Sequence, residues 1–268
     1  MTKQDSRPIG VFDSGIGGLT VLKELALQFP KESFLYLGDT ARLPYGSKSA
    51  HTIRKYSEQN IHFLKRLNVK AIVIACNTAS TQVPEADFEG LPLYNVISPG
   101  SERALSVSSG KRIGVLGTRA TINSKAYTNK LLELDKDAQV FDQACPLFVP
   151  LAEEGWDSDP VTNIIVFRYL SQLLQHSIDT LILGCTHYPI LKNSIARVTG
   201  STIELVDSGE AIAHWLERDF IQGRLGRSDS KEHRHVQIMT TDSSAHFTEM
   251  ALRILKPLKA DEFKVVDL

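Results

Sequence analysis

The chain has 268 residues, room for one large domain or two small ones at about 150 residues each. Hydrophobic residues make up 42% and charged residues 23%, and 30 Lys+Arg against 31 Asp+Glu leave a net charge of −1, a poor match to nucleic acid or an anionic membrane as the main partner. The longest apolar run, 71–76, falls far short of the roughly 20 residues of a membrane helix, and residues 1–8 hold no apolar stretch for secretion, so a cytoplasmic protein is expected.

Short apolar runs alternate with helical patterns, the signature of an α/β protein with largely parallel sheets. Residues 9–12 read as a strand. A helix follows over 17–29, with Leu19, Val21, Leu22, Leu25, Ala26 and Phe29 at mostly three- and four-residue spacings. A second strand is expected at 34–37. The spacing then predicts a long amphipathic helix over 49–67 that turns Ile53, Tyr56, Phe63, Leu64 and Leu67 inward. The stretch 71–75 carries no charge on either face and reads as a central parallel strand. Residues 93–97 read as another, ended by the breaker cluster Ser98-Pro99-Gly100. Near the end of the chain come a helix over 209–221, a polar connector over 223–234, a strand over 236–240 and a helix over 243–255. His233 and His235, at that connector, read as solvated side chains rather than metal ligands.

The two halves resemble each other. Residues 9–14 lie over 113–118, 69–78 over 178–187, and 96–100 over 205–209, in the same order and at nearly constant offset. A duplicated α/β unit accounts for this. The expected architecture is two pseudo-symmetric parallel-sheet lobes facing each other across a cleft. One lobe would comprise 1–97 with 208–268, and the other 98–207.

In parallel sheets, ligands bind beyond the carboxyl ends of the strands. Asp13-Ser14, Cys76-Asn77-Thr78, Thr118 and Cys185-Thr186-His187 each follow a strand, where N–H donors suit a small zwitterionic or carboxylate ligand. Gly15-Ile16-Gly17-Gly18 is neither G-x-G-x-x-G nor a Walker loop, and reads as a tight strand-to-helix turn. Ser14 is not in a G-x-S-x-G elbow.

Of the three cysteines, none forms a CxxC or zinc-ribbon pair. Cys145 has no counterpart in the repeat and reads as a small buried hydrophobe. Cys76 and Cys185 occupy equivalent repeat positions, where a helix N-terminus is expected to lower a thiol pKa from about 8.5. Two thiols reaching a ligand from opposite sides suit the inversion of a carbon, which needs a base on one face and an acid on the other. Asp13, His187 and one of Glu153 or Glu154 are the neighbours that would manage those protons.

Five motifs sharpen the reading: Asp13-Ser-Gly-Ile-Gly-Gly-Leu19, Gly38-Asp-Thr-Ala-Arg-Leu-Pro-Tyr-Gly46, Ala75-Cys-Asn-Thr-Ala79, Pro146-Leu-Phe-Val-Pro-Leu-Ala-Glu153 and Gly184-Cys-Thr-His-Tyr-Pro189. With them the chain resembles, over essentially its whole length, the glutamate racemases of bacterial peptidoglycan synthesis, within the aspartate/glutamate racemase superfamily. The resemblance implies a racemase of L- and D-glutamate that uses no cofactor or metal and is commonly a homodimer. It implies that Cys185 takes the α-proton of L-glutamate and Cys76 that of D-glutamate. Asp13, Glu153 and His187 resemble the supporting acid/base residues, Glu153 being preferred to Glu154 because it follows Pro-Leu-x. The implied substrate contacts are Asp13, Ser14, Pro44, Tyr45, Gly46, Asn77, Thr78, Thr118, Thr121, Thr186 and His187. The alternatives are an aspartate racemase of the same superfamily and a non-catalytic amino-acid-binding protein.

Overall fold

The computed structural model describes residues 4–229 and 234–268, so His233 lies outside the described residues. The chain runs β1 (Ile9–Asp13), α1 (Leu19–Gln28), β2 (Phe34–Gly38), α2 (Ala50–Arg66), β3 (Ala71–Ile74), α3 (Asn77–Ser80), β4 (Ala86–Phe88), β5 (Leu91–Asn95) and α4 (Ile97–Val107). It continues through β6 (Arg112–Gly117), α5 (Arg119–Asn123), α6 (Ala126–Leu134), β7 (Gln139–Ala144), α7 (Phe148–Glu153), α8 (Pro160–Leu174), β8 (Thr180–Gly184), α9 (Lys192–Thr199) and β9 (Glu204–Asp207). Last come α10 (Ser208–Ile221), β10 (Val236–Thr240), α11 (Ala245–Leu255) and β11 (Glu262–Val265).

These strands form two sheets, a seven-stranded one ordered β11-β10-β2-β1-β3-β5-β4 and a four-stranded one ordered β7-β6-β8-β9. Every pairing is parallel except β4 with β5. Successive strand residues point to opposite faces, and both faces are apolar. Ile9, Val11, Phe34, Tyr36 and Val73 pack under α1, α10 and α11, while Phe12, Leu35, Leu37, Ile72 and Ile74 pack under α2. In the second sheet Leu116, Leu181 and Leu183 face α7, α8 and α9, and Ile113, Val115 and Ile182 face α4 and α6. Among the described residues no helix is long and apolar enough to cross a membrane.

The internal repeat is visible in the pairing register. The order β2-β1-β3-β5 recurs as β7-β6-β8-β9. Ile9 pairs with Ala71 in the first sheet, and their repeat equivalents Ile113 and Thr180 pair in the second. Cys76 and Cys185 therefore stand at the same height, just past the ends of equivalent strands. The third sequence similarity is out of step with this register. Ile72 pairs with Leu93 and Leu181 with Leu205, so Leu205 corresponds to Leu93, three residues before Val96.

Other boundaries differ for identifiable reasons. Ser98-Pro99-Gly100 begins α4 instead of ending an element; Pro fits a first helical turn because the N–H it lacks has no partner there. Ser49 caps α2 by accepting from Thr52 N, as its type favours. Leu67 follows the helix and is exposed, while Ser57, Asn60 and Ile61 join Ile53 and Leu64 in the buried stripe.

Gly184 ends β8 beside β6, opposite Gly117. A Cβ there would lie 2.4 Å from Leu116 O, a paired backbone atom with little room to yield. Gly184→Ala is expected to cost about 1–3 kcal/mol, the usual range for overpacking, read as a lowered urea midpoint. A wild-type midpoint would contradict this account of the strand end.

Candidate functional site

The carboxyl ends of β1, β3, β6 and β8 converge on a cavity of about 250 Å³. That is below the roughly 300–1,000 Å³ typical of drug-sized ligands and suits a small metabolite. Of the residues singled out from the sequence, Ser14, Pro44, Tyr45, Gly46, Cys76, Asn77, Thr78, Thr118, Glu153, Cys185, Thr186 and His187 line it. Asp13 and Thr121 lie behind the wall and bond to residues that form it.

Cys76 is the N-cap of α3, its sulfur accepting from Ala79 N at 3.5 Å, and its thiol donates to Ser14 Oγ at 3.7 Å. Contrary to the lowered pKa expected at this position, burial first and the Asp13 charge second push the Cys76 thiol up. The four-residue α3 is too short to supply a macrodipole that would offset them.

Cys185 has different company. Its Sγ lies 3.8 Å from His187 Nδ1, and His187 Nε2 lies 3.1 Å from Glu153 Oε1. Burial of the imidazole, the largest single influence, opposes its charge, but hydrogen bonds and charge attraction from Cys185 and Glu153 together raise the His187 pKa to about 10. Glu154, the other carboxylate considered, is exposed and lines a neighbouring cavity with the side chains of α11.

Polar side chains tie the two sheet ends together. Thr186 Oγ1 donates to Asp13 Oδ1 at 3.1 Å, and Gly15 N donates to Asp13 Oδ2 at 2.9 Å. Asn77 Nδ2 donates to Tyr127 OH and Ser208 Oγ at 2.8 and 2.9 Å, leaving Asn77 Oδ1 buried without a partner among the described residues. The hydroxyls of Thr78, Thr118 and Thr121 form a triangle with sides of 3.0 to 3.1 Å. The glycine-rich turn belongs to this junction. A Cβ on Gly17 would stand 2.5 Å from both His187 Nδ1 and Thr186 Oγ1. Glycine is needed there for close approach of the turn to β8, which supports the turn reading over a phosphate loop.

Tyr45 lines the cavity, and its hydroxyl is bonded to protein side chains. That hydroxyl donates to the buried Asp39 carboxylate and accepts from Asn60 Nδ2 at 3.2 Å. Asp39 also accepts from Arg42 Nε and from Thr241 Oγ1, so it holds the 40–47 loop against the sheet. Asp39, Arg119, Tyr127 and Ser208 are contributors that the sequence reading did not single out. Asp39 and Ser208 lay inside quoted segments, whereas Tyr127 reaches Asn77 from a distant helix and left no local signal. Cys145 is buried, and its carbonyl accepts from Tyr188 OH at 3.0 Å. Among the described residues no group of three or more His, Cys, Asp or Glu could hold a metal, and His235 faces Asp261 at 3.8 Å.

Replacing Glu153 by Gln removes a charge and an acceptor that favour the imidazolium, while burial still opposes it. The His187 titration midpoint should therefore fall from about 10 toward its ordinary value of 6.5 in Glu153→Gln, read by ring-nitrogen NMR. An unmoved midpoint would contradict the electrostatic role given to Glu153.

Comparison with known proteins places this chain in a family. The Asp/Glu/Hydantoin racemase family matches residues 9–216. A glutamate racemase of Sulfurihydrogenibium sp. is 46% identical over 264 residues, covering 97% of this chain and 98% of the relative. A crystal structure of a glutamate racemase isoform from Bacillus anthracis is 36% identical, with a TM-score of 0.92 and coverage of 98% of both chains. A glutamate racemase from Francisella tularensis, solved in complex with D-glutamate, is 36% identical, with a TM-score of 0.89 and 98% of both chains covered. The likeness extends over most of these lengths, and the chain belongs to the Asp/Glu/Hydantoin racemase family.

Proposed function

We propose that the protein interconverts L- and D-glutamate with two thiols, one removing the α-proton and the other delivering its own proton to the opposite face, without pyridoxal phosphate, metal or nucleotide. The observation that carries this is the placement of Cys76 and Cys185 at equivalent heights just past the ends of equivalent strands, both lining one cavity. The names of the relatives favour glutamate as substrate.

In this reading the Cys185 thiolate takes the α-proton of L-glutamate, and the electron pair left on the carbon delocalises into the α-carboxyl group. The Cys76 thiol then gives its proton to the opposite face, completing the inversion. The reverse reaction starts with Cys76 as thiolate and Cys185 as thiol. His187 and Glu153 are the proton partners on the Cys185 side, and Asp13 and Ser14 lie beside Cys76. Asn77, Thr78, Thr118 and Thr186 all line the cavity and are the polar residues proposed to hold the substrate ammonium and carboxylates. Fixed partners of this kind stabilise charge as it develops, which a weakly acidic C–H requires. We further propose the lobes as 1–97 with 208–268 and 98–207, in a cytoplasmic homodimer that supplies D-glutamate for peptidoglycan.

Circular dichroism of L- or D-glutamate incubated with the purified, chelator-treated protein tests the activity directly, with racemisation expected. Cys76→Ser and Cys185→Ser should each lower it at least about 10²-fold, the lower range for a positioned acid/base group. Cys145→Ser should remain within a few-fold of wild type, because its sulfur lies outside the cavity lining. Near-wild-type racemisation in both active-site serine variants would overturn the two-thiol reading, and no racemisation by the wild-type protein would favour one that only binds amino acids.

A further inference from the structure

Glu153 is the last residue of α7, so its carbonyl has no partner inside the helix. His246 Nε2 donates to that carbonyl at 2.7 Å. The two residues come from different sheets. The α7 side chains Phe148, Leu151 and Ala152 pack in the core of the second sheet, whereas Phe247, Met250, Ala251 and Leu255 fix α11 in the core of the first.

Contact continues along α11. His246, Met250 and Arg253 share one helical face at i, i+4 and i+7. Arg253 Nη2 reaches Asp157 Oδ1 at 2.5 Å, and Nη1 lies 3.5 Å from Gly155 O. The downstream end of the 153–157 loop is also held from its own side, by Thr162 Oγ1 on Trp156 O at 2.6 Å and Ser194 Oγ on Asp157 O at 2.8 Å. At the Glu153 end the bond from the first sheet is the His246 imidazole.

We infer that His246 is a positioning residue for Glu153, fixing from the opposite sheet the backbone from which the carboxylate reaches His187. The inference rests on the reading of Glu153 and His187 as proton partners of Cys185. The Glu153 side chain is 30% exposed and bonds His187 at 3.1 Å, so drift of about half an ångström takes it out of hydrogen-bond range. His246 is exposed and lies outside the cavity lining, so its loss acts through Glu153 rather than through substrate contact.

The test is a double-mutant cycle on glutamate racemisation. His246→Ala should lower kcat roughly tenfold or more with little change in KM, since small misplacements of reacting groups are costly. The basic limb of its pH profile should move toward lower pH, as in Glu153→Gln, because His187 holds its proton less firmly. His246→Gln, which keeps a side-chain N–H donor, should recover most of the kcat and so separate positioning from loss of folding. In the Glu153→Gln background, His246→Ala should add no further loss. Wild-type kcat in His246→Ala, or a loss that persists undiminished in Glu153→Gln, would overturn the inference. Wild-type kcat in Glu153→Gln alone would instead remove the proton-partner reading, and this inference with it.

Discussion

Buried side-chain hydrogen bonds between the carboxyl ends of two parallel sheets hold the site together. Thr186 to Asp13, Thr20 Oγ1 to Thr186 O at 3.0 Å, Asn77 to Tyr127 and Ser208, and Thr78 to Thr118 and Thr121 all cross that junction. Each contributes only about 0.5–1.5 kcal/mol net, but separating the partners in place strands buried polar groups at about 1–3 kcal/mol each. The junction is therefore closer to a single arrangement than to a continuum. That constraint sets where the two thiols stand relative to anything held between them.

The duplicated frame is symmetric, but its chemistry is not. Equivalent strands bring each cysteine to the same height, yet Cys76 has a carboxylate and a hydroxyl beside it, whereas Cys185 has an imidazole backed by a carboxylate. Burial and Asp13 hold the proton on Cys76, while His187 retains its own proton to about 10. The proposed reaction needs one thiol protonated as the other is not, and these unequal surroundings distinguish the two thiols.

Much of this was legible in sequence because it rests on local rules. Strand alternation, the Ser49 cap and the strand-end placement of Ser14, Cys76, Thr118 and Cys185 follow from residue type and spacing. The strand-end rule also reached His187, and the family motifs gave the preference for Glu153. Distances in space explain what was not legible. The phenol of Tyr45 turns toward Asp39, and the preference for Glu153 over Glu154 gained support once α7 placed one carboxylate on His187. The exposed edge strand β11 carries no buried face to give it an alternating pattern. The Ser98-Pro99-Gly100 start of α4 shows that a breaker inside a chain can equally be a first turn. The register of β9 moved the third repeat similarity by three residues, since short apolar strands align by chance as easily as by descent.

The central claim is that two different groups serve the two faces of one carbon. Racemisation of L-glutamate in deuterium oxide, stopped at low conversion and analysed separately for each enantiomer, tests it most directly. Two thiols predict D-glutamate carrying solvent deuterium at the α-carbon beside recovered L-glutamate that is still unlabelled. D-glutamate that retains the original α-proton would show one group serving both faces and would contradict the account.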